Sequence, residues 1–123
     1  MSSLPIITDI SDRNHFAGLL KSNPGIFLIK FGAEWCKPCK SINDGVKSYF
    51  ERLPSDVQCA IIDIDKNIDL YSYLKSKRVI NGVPVILCYV KGNLSHVPDD
   101  IIIGADKKQI NDFFIRCSKL AGN

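Results

Sequence analysis

The sequence has little of what characterises membrane proteins, nucleic-acid-binding proteins or disulfide-rich secreted proteins. No apolar run approaches the ~20 residues of a membrane-spanning helix, so we expect no membrane association. The net charge of +3 is too small for the basic surface of a nucleic-acid-binding protein. Five cysteines, an odd number, do not form a secreted disulfide framework. Residues 1–5 lack the basic start of a signal peptide, so we expect a cytoplasmic location.

Histidine is also scarce, which bears on metal binding. The two histidines, His15 and His96, have no ligand spacing to the cysteines, and a zinc site needs about four ligands. Cys59, Cys88 and Cys117 lie within apolar stretches, where a free thiol packs as a small hydrophobe. We therefore predict that these three cysteines belong to the core, and we expect no bound metal.

The composition fits one globular domain. The chain has 123 residues, of which 46% are hydrophobic and 24% charged, as in ordinary soluble proteins. That length supports one sizeable core. We see no internal repeat, linker or low-complexity segment, so we predict a single domain over residues 1–123.

The most informative stretch is residues 35–39, which read Trp-Cys-Lys-Pro-Cys. An apolar run at residues 26–31, preceded by Asn-Pro-Gly, predicts a buried strand just before it. Apolar residues recur at helical spacing after it, namely Ile42, Val46, Tyr49, Phe50 and Leu53. The two cysteines are therefore predicted to lie where a strand passes into a helix, with Cys36 near the helix start.

That position favours a reactive thiol at Cys36. The first turn of a helix has unpaired N–H groups and the positive end of the dipole, and both stabilise a thiolate. Lys37 and Lys40 add positive charge nearby. Such a cysteine should have a pKa below the free value of ~8.5. Because Cys39 is one helical turn away, it could attack a mixed disulfide that forms at Cys36.

Three segments of the chain resemble the thioredoxin family. Residues 31–40 (FGAEWCKPCK) resemble its active-site segment, residues 80–84 (INGVP) resemble the loop that carries its cis-proline, and residues 91–93 (KGN) match the hairpin turn that follows. They come in the family's order at near-family separations, and the resemblance covers almost all of the chain. It implies a thioredoxin-like α/β fold, with a central mixed β-sheet flanked by helices on both faces.

The hydrophobic pattern along the chain predicts the order β-α-β-α-β-α-β-β-α. Strands are predicted at residues 4–8, 26–32, 57–65, 83–90 and 101–103. Ser11 or Asp12 is expected to cap the first helix. Residues 97–100 are expected to extend the turn of the last hairpin, either as a neutral surface variation or as an acidic spot for a partner.

The resemblance also implies an activity, which is thiol–disulfide oxidoreduction on protein substrates. Cys36 would be the nucleophile and Cys39 the resolving thiol. Trp35, the cis-proline candidate Pro84 and the backbone of Val83 would shape the substrate groove. No bound cofactor is expected, since the Cys36–Cys39 dithiol carries the two electrons. A separate enzyme of the thioredoxin-reductase type would recycle a monomeric protein.

Three departures from the family pattern lie close to the dithiol. Lys37 stands where the family usually has Gly, and Lys30 stands where it usually has an acidic residue beneath the dithiol. Ile61 occupies the place of a family Lys, which leaves Asp63 as a candidate partner for Lys30. A charged Lys30 would favour the Cys36 thiolate, and a neutral Lys30 could accept the Cys39 proton. A third alternative is that Lys30 extends to solvent and does neither.

Two rival functions remain open at this stage. Lys30 and Lys37 both stabilise a reduced thiolate, which would make the disulfide more oxidising and suit an oxidase or isomerase. The other rival is a non-catalytic binding module that keeps the fold but leaves the dithiol idle. The intact residues Cys36, Cys39, Trp35 and Pro84 argue against that second rival.

Overall fold

The computed structural model of the chain describes residues 3–121. The helices are α1 (Arg13–Lys21), α2 (Lys37–Glu51), α3 (Ile68–Ser76) and α4 (Lys107–Leu120). The strands are β1 (Ile26–Gly32), β2 (Val57–Asp63), β3 (Val85–Val90) and β4 (Asp100–Ile103). Residues 1–2 and 122–123 lie outside the described residues. The predicted domain over residues 1–123 includes all four of them, and the expectation of no signal peptide includes residues 1–2.

The four strands form one mixed sheet in the order β2-β1-β3-β4. β1 pairs in parallel with β2 and antiparallel with β3, and β3 pairs antiparallel with β4. All seven residues of β1 are buried, because the strand has neighbours on both sides and helices over both faces. The predicted fold class, a mixed sheet between helices, is confirmed.

Two hydrophobic clusters hold the helices on opposite faces of the sheet. α1 and α3 contribute Phe16, Leu20, Leu70 and Leu74 to one cluster. α2 and α4 contribute Ile42, Val46, Phe50, Ile110, Phe113, Phe114 and Cys117 to the other. The two sets of side chains alternate along β1, as the period of a strand requires. The positions predicted for Cys59, Cys88 and Cys117 are confirmed, since all three are buried free thiols.

The first predicted strand is wrong. Residues 4–8 form only a single bridge, between Ile7 and Ala60. The Ile7 N–H donates to Cys59 O at 3.0 Å, and the Ile61 N–H donates to Ile7 O at 2.8 Å. Pro5 has no N–H to extend the ladder in the other direction, so the pairing stops at one residue. β2 and β3 are also shorter than predicted, by two residues each.

The extra residues of the last hairpin fold back onto the hairpin itself. The Asp99 Oδ2 accepts from the Val90 N–H at 2.7 Å and from the Asn93 side chain at 2.9 Å. Asp100 pairs with Arg116 of α4. Both carboxylates are therefore used within the chain, which favours the neutral extension over an acidic docking spot.

The sheet register brings the two halves of the site together. Phe31 of β1 pairs with Val85 of β3 in antiparallel orientation. The loop that leaves β1 therefore meets the loop that enters β3 at one edge of the sheet. α2 begins at this edge, because Lys37 follows β1 after only four residues.

Candidate active site

Cys36 is the N-cap residue of α2. Its backbone is extended, and its Sγ accepts from the Cys39 N–H at 3.2 Å. This N–H group lies in the first turn of the helix, where N–H groups have no carbonyl partner within the helix. An N–H that points at the sulfur favours a thiolate there once the disulfide opens. The predicted placement of Cys36 at the helix start is what the structure shows.

Cys36 and Cys39 are joined in a disulfide. Their Cα atoms are 5.3 Å apart, within the usual range for such a bond. Cys36 is 5% exposed and Cys39 1% exposed, so a partner reaches Cys36 more readily. The two sulfurs therefore have unequal access, as the nucleophilic and resolving roles predicted for them require.

The loop before β3 lies across from the disulfide. The Cys36 Sγ lies 3.9 Å from the carbonyl oxygen of Val83. The Val83–Pro84 peptide bond is cis. Val83 belongs to no strand and has no backbone hydrogen-bond partner among residues 3–121. Its peptide groups are thus free beside the sulfur, where the sequence predicted a substrate groove.

Trp35 projects into solvent beside the disulfide. It is 68% exposed, and its indole N–H donates to the Asp65 carboxylate at 2.8 Å. A large exposed aromatic side chain that is held at its polar end is suited to contact a polypeptide. Asp65 was not predicted as part of the site. Its position two residues after the end of β2, the strand beside β1, was the sequence feature that could have placed it there.

Lys37 and Lys40 are exposed in the first turn of α2. Neither side chain forms an ion pair within the described part of the chain. Their charges therefore add to the positive end of the helix near Cys36. Solvent screening keeps each of these contributions small.

Lys30 is buried directly beneath the disulfide. It is 1% exposed and lies between Ile61 on β2 and Ile86 on β3. Its Nζ donates a hydrogen bond to the side-chain oxygen of Asn43 on α2. Burial lowers the pKa of Lys30. The alternative in which Lys30 extends to solvent is therefore wrong, because the helix covers this face of the strand.

Gly32 allows Lys30 and Cys39 to approach each other. A Cβ at position 32 would lie 3.2 Å from Lys30 Nζ and 3.5 Å from Cys39 Sγ. The lysine nitrogen and the resolving sulfur are thus neighbours around the space that this glycine leaves free. Any larger residue there would push on both of them.

The expected direct pairing of Lys30 with Asp63 is not formed. One carboxylate oxygen of Asp63 accepts from the Asp65 N–H at 2.8 Å. Lys30 instead reaches upward to Asn43, because α2 crosses the strand at that point. Asp63 still lines the same solvent-connected cavity, of about 370 Å³, as Lys30. Asn43 was not predicted, although its spacing of four residues from Cys39 places it on the same helix face.

Comparison with known proteins identifies the family. The sequence model described as Thioredoxin matches residues 7–116. The chain belongs to the thioredoxin family. Its active site is that of a thiol–disulfide oxidoreductase, in which a redox-active disulfide serves in place of a bound cofactor. The resemblance inferred from the sequence is confirmed.

Relatives and solved structures agree with this assignment. Thioredoxin 3 of Plasmodium falciparum is 32% identical over 71% of this chain and 45% of its own length. A thioredoxin of Rickettsia bellii is 27% identical over 69% of this chain and 76% of its own. The structure of Fasciola hepatica thioredoxin has a TM-score of 0.71 at 21% identity, covering 89% of this chain and 98% of that one. That structural likeness shows the fold.

The described residues offer neither a metal site nor a membrane-spanning helix. Within residues 3–121, no group of three or more His, Cys, Asp or Glu side chains is placed to hold a metal ion. None of the helices in that range is both long and apolar enough to cross a bilayer.

Proposed function

We propose that this protein reduces disulfide bonds in other proteins, with Cys36 as the attacking thiolate and Cys39 as the resolving thiol. The observation that carries the proposal is the Cys36 sulfur, which receives the first-turn N–H of Cys39 and lies 3.9 Å from the Val83 carbonyl. The N–H group stabilises the Cys36 thiolate, and the opposite side of the sulfur faces the backbone of Val83, which pairs with no other backbone group in the described chain.

The first step is attack by the Cys36 thiolate on a substrate disulfide. A new S–S bond forms between Cys36 and one substrate sulfur, while the other substrate sulfur leaves as a thiolate and takes a proton from solvent. Helix position and nearby lysines raise the fraction of Cys36 that is ionised. Cys36 is the more exposed of the two residues, so it is the one that we expect a partner to meet first.

The second step is attack by Cys39 on Cys36 Sγ. The bond between Cys36 and the substrate breaks, the Cys36–Cys39 bond forms, and the reduced substrate leaves. The Cα separation of 5.3 Å suits this closure without unfolding of the helix. The two electrons that reduce the substrate come from the dithiol.

An extended segment of the substrate would bind between Trp35 and the Val83–Pro84 loop. The free peptide groups of Val83 can pair with the backbone of such a segment, in the manner of an added strand. Trp35 would cover the opposite side. Backbone pairing accepts many side chains, so this arrangement favours a broad set of protein substrates.

A separate reductase of the thioredoxin-reductase type would restore the dithiol after each cycle. We also propose that the protein works in a reducing compartment such as the cytoplasm. Three buried free thiols, Cys59, Cys88 and Cys117, support this, because they have no disulfide partner in the described chain.

The direct test is reduction of insulin disulfides driven by dithiothreitol, followed by turbidity. The wild type should accelerate the reaction, and Cys36→Ser should not. Cys39→Ser should instead accumulate a mixed disulfide through Cys36, visible by mass spectrometry. If insulin reduction with the wild-type protein is no faster than with dithiothreitol alone, the protein is not a reductase and the non-catalytic binding module is the function that remains.

The equilibrium potential of the Cys36–Cys39 couple separates reductase from oxidase. Thioredoxins have potentials of about −270 mV and the oxidase DsbA about −120 mV. We expect a value nearer the first, since Lys37 is exposed and burial disfavours the charged form of Lys30. A value nearer the second would show that the two lysines favour the reduced form enough for oxidation or isomerisation.

A further inference from the structure

Lys30 is a buried ionisable group that the two steps above do not use. Its Nζ has one described partner, the neutral amide of Asn43. It forms no ion pair with any carboxylate in residues 3–121. An ammonium in such a place loses hydration without gaining a counter-ion, so burial lowers the pKa of Lys30 and makes the uncharged amine easier to reach than in an exposed lysine.

The amine and the thiol that must lose a proton border the same space, the one that Gly32 leaves free. Lys30 Nζ and Cys39 Sγ both contact the position that a Cβ at Gly32 would occupy, at 3.2 Å and 3.5 Å. Asn43 Oδ1 takes one N–H of the amine and leaves its lone pair free. Cys39 is 1% exposed, so water has poor access to its thiol proton.

We propose that Lys30 is the proton acceptor for Cys39 in the resolving step, an inference that rests on the function proposed above. The Cys39 S–H bond breaks, its proton passes to the Lys30 amine, and the Cys39 thiolate attacks Cys36 Sγ. The Cys36–substrate bond breaks, and the substrate thiolate leaves with a proton from solvent. The Lys30 ammonium then returns its proton to water, and the net exchange is dithiol for disulfide.

The cavity beneath the disulfide supplies the route for that return. It has a volume of about 370 Å³ and includes Lys30, Gly32 and Asn43 in its lining. The other charged groups that face it are Asp9 before α1, Glu34 after β1, Lys40 on α2, and Asp63 and Lys66 at the end of β2. Its carboxylates can relay a proton to water, and Lys66 is paired with Glu34 at 3.7 Å.

Single-turnover reaction with Ellman's reagent tests the assignment, because one run reports both steps. Attack by Cys36 releases the first coloured thiolate, and resolution by Cys39 releases the second. In Lys30→Met the first release should change little, while the second should slow by roughly a hundredfold, the size of a general-base contribution. Lys47→Met is the control, since Lys47 is an exposed lysine on the same helix that does not line the cavity, and it should leave both releases unchanged.

The pH profile of the second release distinguishes proton transfer from a structural effect. In the wild type, Cys39 and Lys30 hold one proton between them, either as thiol and amine or as thiolate and ammonium. The fraction of thiolate does not change with pH while the pair keeps that one proton, so the rate should stay flat over that pH range. In Lys30→Met the rate should rise about tenfold per pH unit for as long as the Cys39 thiol stays protonated, because only its thiolate attacks. Equal rates and parallel profiles in the two proteins would overturn the assignment.

A second variant guards against misfolding of the first. Asn43→Leu keeps Lys30 and removes the oxygen that accepts its hydrogen bond. The pH range over which the second release has a constant rate should therefore become narrower but should not disappear. If the substitution leaves that range unchanged, Asn43 does not hold the amine and the proposed geometry is wrong. Failure of the proposed function itself would look different, because the first release or insulin reduction would be missing in the wild type.

Discussion

At the scale of single residues, Lys30 trades stability for chemistry. Its ammonium would be buried between Ile61 and Ile86 with only an amide as partner. Isolated buried charges are costly, and their replacement by apolar groups of similar shape is often neutral or stabilising. Residues kept at such a cost are common at functional sites.

We therefore expect Lys30→Met to raise the free energy of unfolding by about 1 kcal/mol near neutral pH. Folding lowers the pKa of Lys30, so the unfolded chain binds its proton more tightly. Wild-type stability should therefore rise with pH until the ordinary lysine pKa of ~10.4, where the gap between the two proteins closes. Urea unfolding at several pH values measures this, with Lys40→Met as the control. A destabilised Lys30→Met at neutral pH would show that the lysine is favourably solvated or paired.

The remaining cysteines should be inert in the folded protein. Burial raises the pKa of Cys59 to about 12, so almost none of it is thiolate at neutral pH. A hydrogen bond with Cys88, together with burial, raises the pKa of Cys117 as well. Iodoacetamide at pH 8 should label reduced protein first at Cys36, and should label Cys59 and Cys117 only after unfolding. Peptide mass spectrometry checks the order, and early labelling of Cys117 would mean that the end of α4 opens.

At the scale of elements, α4 packs on α2 through aromatic side chains and is joined to β4 by an ion pair. Phe114 stacks on Tyr49 of α2 with centroids 4.1 Å apart and contacts Phe50 edge-on at 6.0 Å. At the other end, Arg116 pairs with Asp100 of β4 at 2.7 Å. The core holds the helix whatever the pH, whereas the ion pair depends on pH.

Phe114→Ala should cost about 3 kcal/mol of unfolding free energy, because it opens a cavity between α2 and α4. Ile115→Ala on the same helix is the matched control, since Ile115 is 49% exposed and should cost less than about 1 kcal/mol. Denaturant unfolding of both proteins gives the comparison. Similar losses in the two variants would mean that helix propensity, and not packing, holds α4.

Asp100→Asn should weaken the protein fully above about pH 4, and the difference from the wild type should shrink as the pH falls further. The hydrogen-bonded Arg116 guanidinium lowers the pKa of Asp100 in the folded state. Its stabilisation is thus complete above the unfolded value of ~3.9 and is lost as the pH falls through the lower folded value. We expect a loss of about 1 kcal/mol at pH 7. Asp112→Asn, which removes an exposed pair with Lys108, should change stability far less. A pH-independent loss in Asp100→Asn would assign it to packing.

At the scale of the whole molecule, stability should decrease outward from β1. This strand is buried throughout and pairs on both sides, so its amides open only on global unfolding. Residues 91–99 lie outside the regular elements, and six of the nine are exposed. Hydrogen exchange should therefore be slowest in β1 and fastest in this loop. Exchange in β1 that matched that of the edge strand β4 would contradict a single cooperative core.

The sequence alone determined most of the fold and the identity of the reactive pair. Short apolar runs place β1, β2, β3 and β4, and apolar residues at helical spacing place the helices that cover the sheet. The strand before residues 35–39 and the helix after them position Cys36 at a helix start. The first strand failed because the pattern at residues 4–8 cannot show that Ile7 alone finds a partner.

Only the tertiary structure decided what surrounds the disulfide. Residues distant in sequence meet there because of sheet register and helix crossing. Val83 faces Cys36, as the family resemblance implied, but Asn43 takes the place expected for Asp63 beside Lys30, which no local pattern encodes. The burial of Lys30 likewise depends on α2 lying over β1. Sequence thus specified the groups that exchange electrons, whereas packing specified the group beside them that can hold a proton.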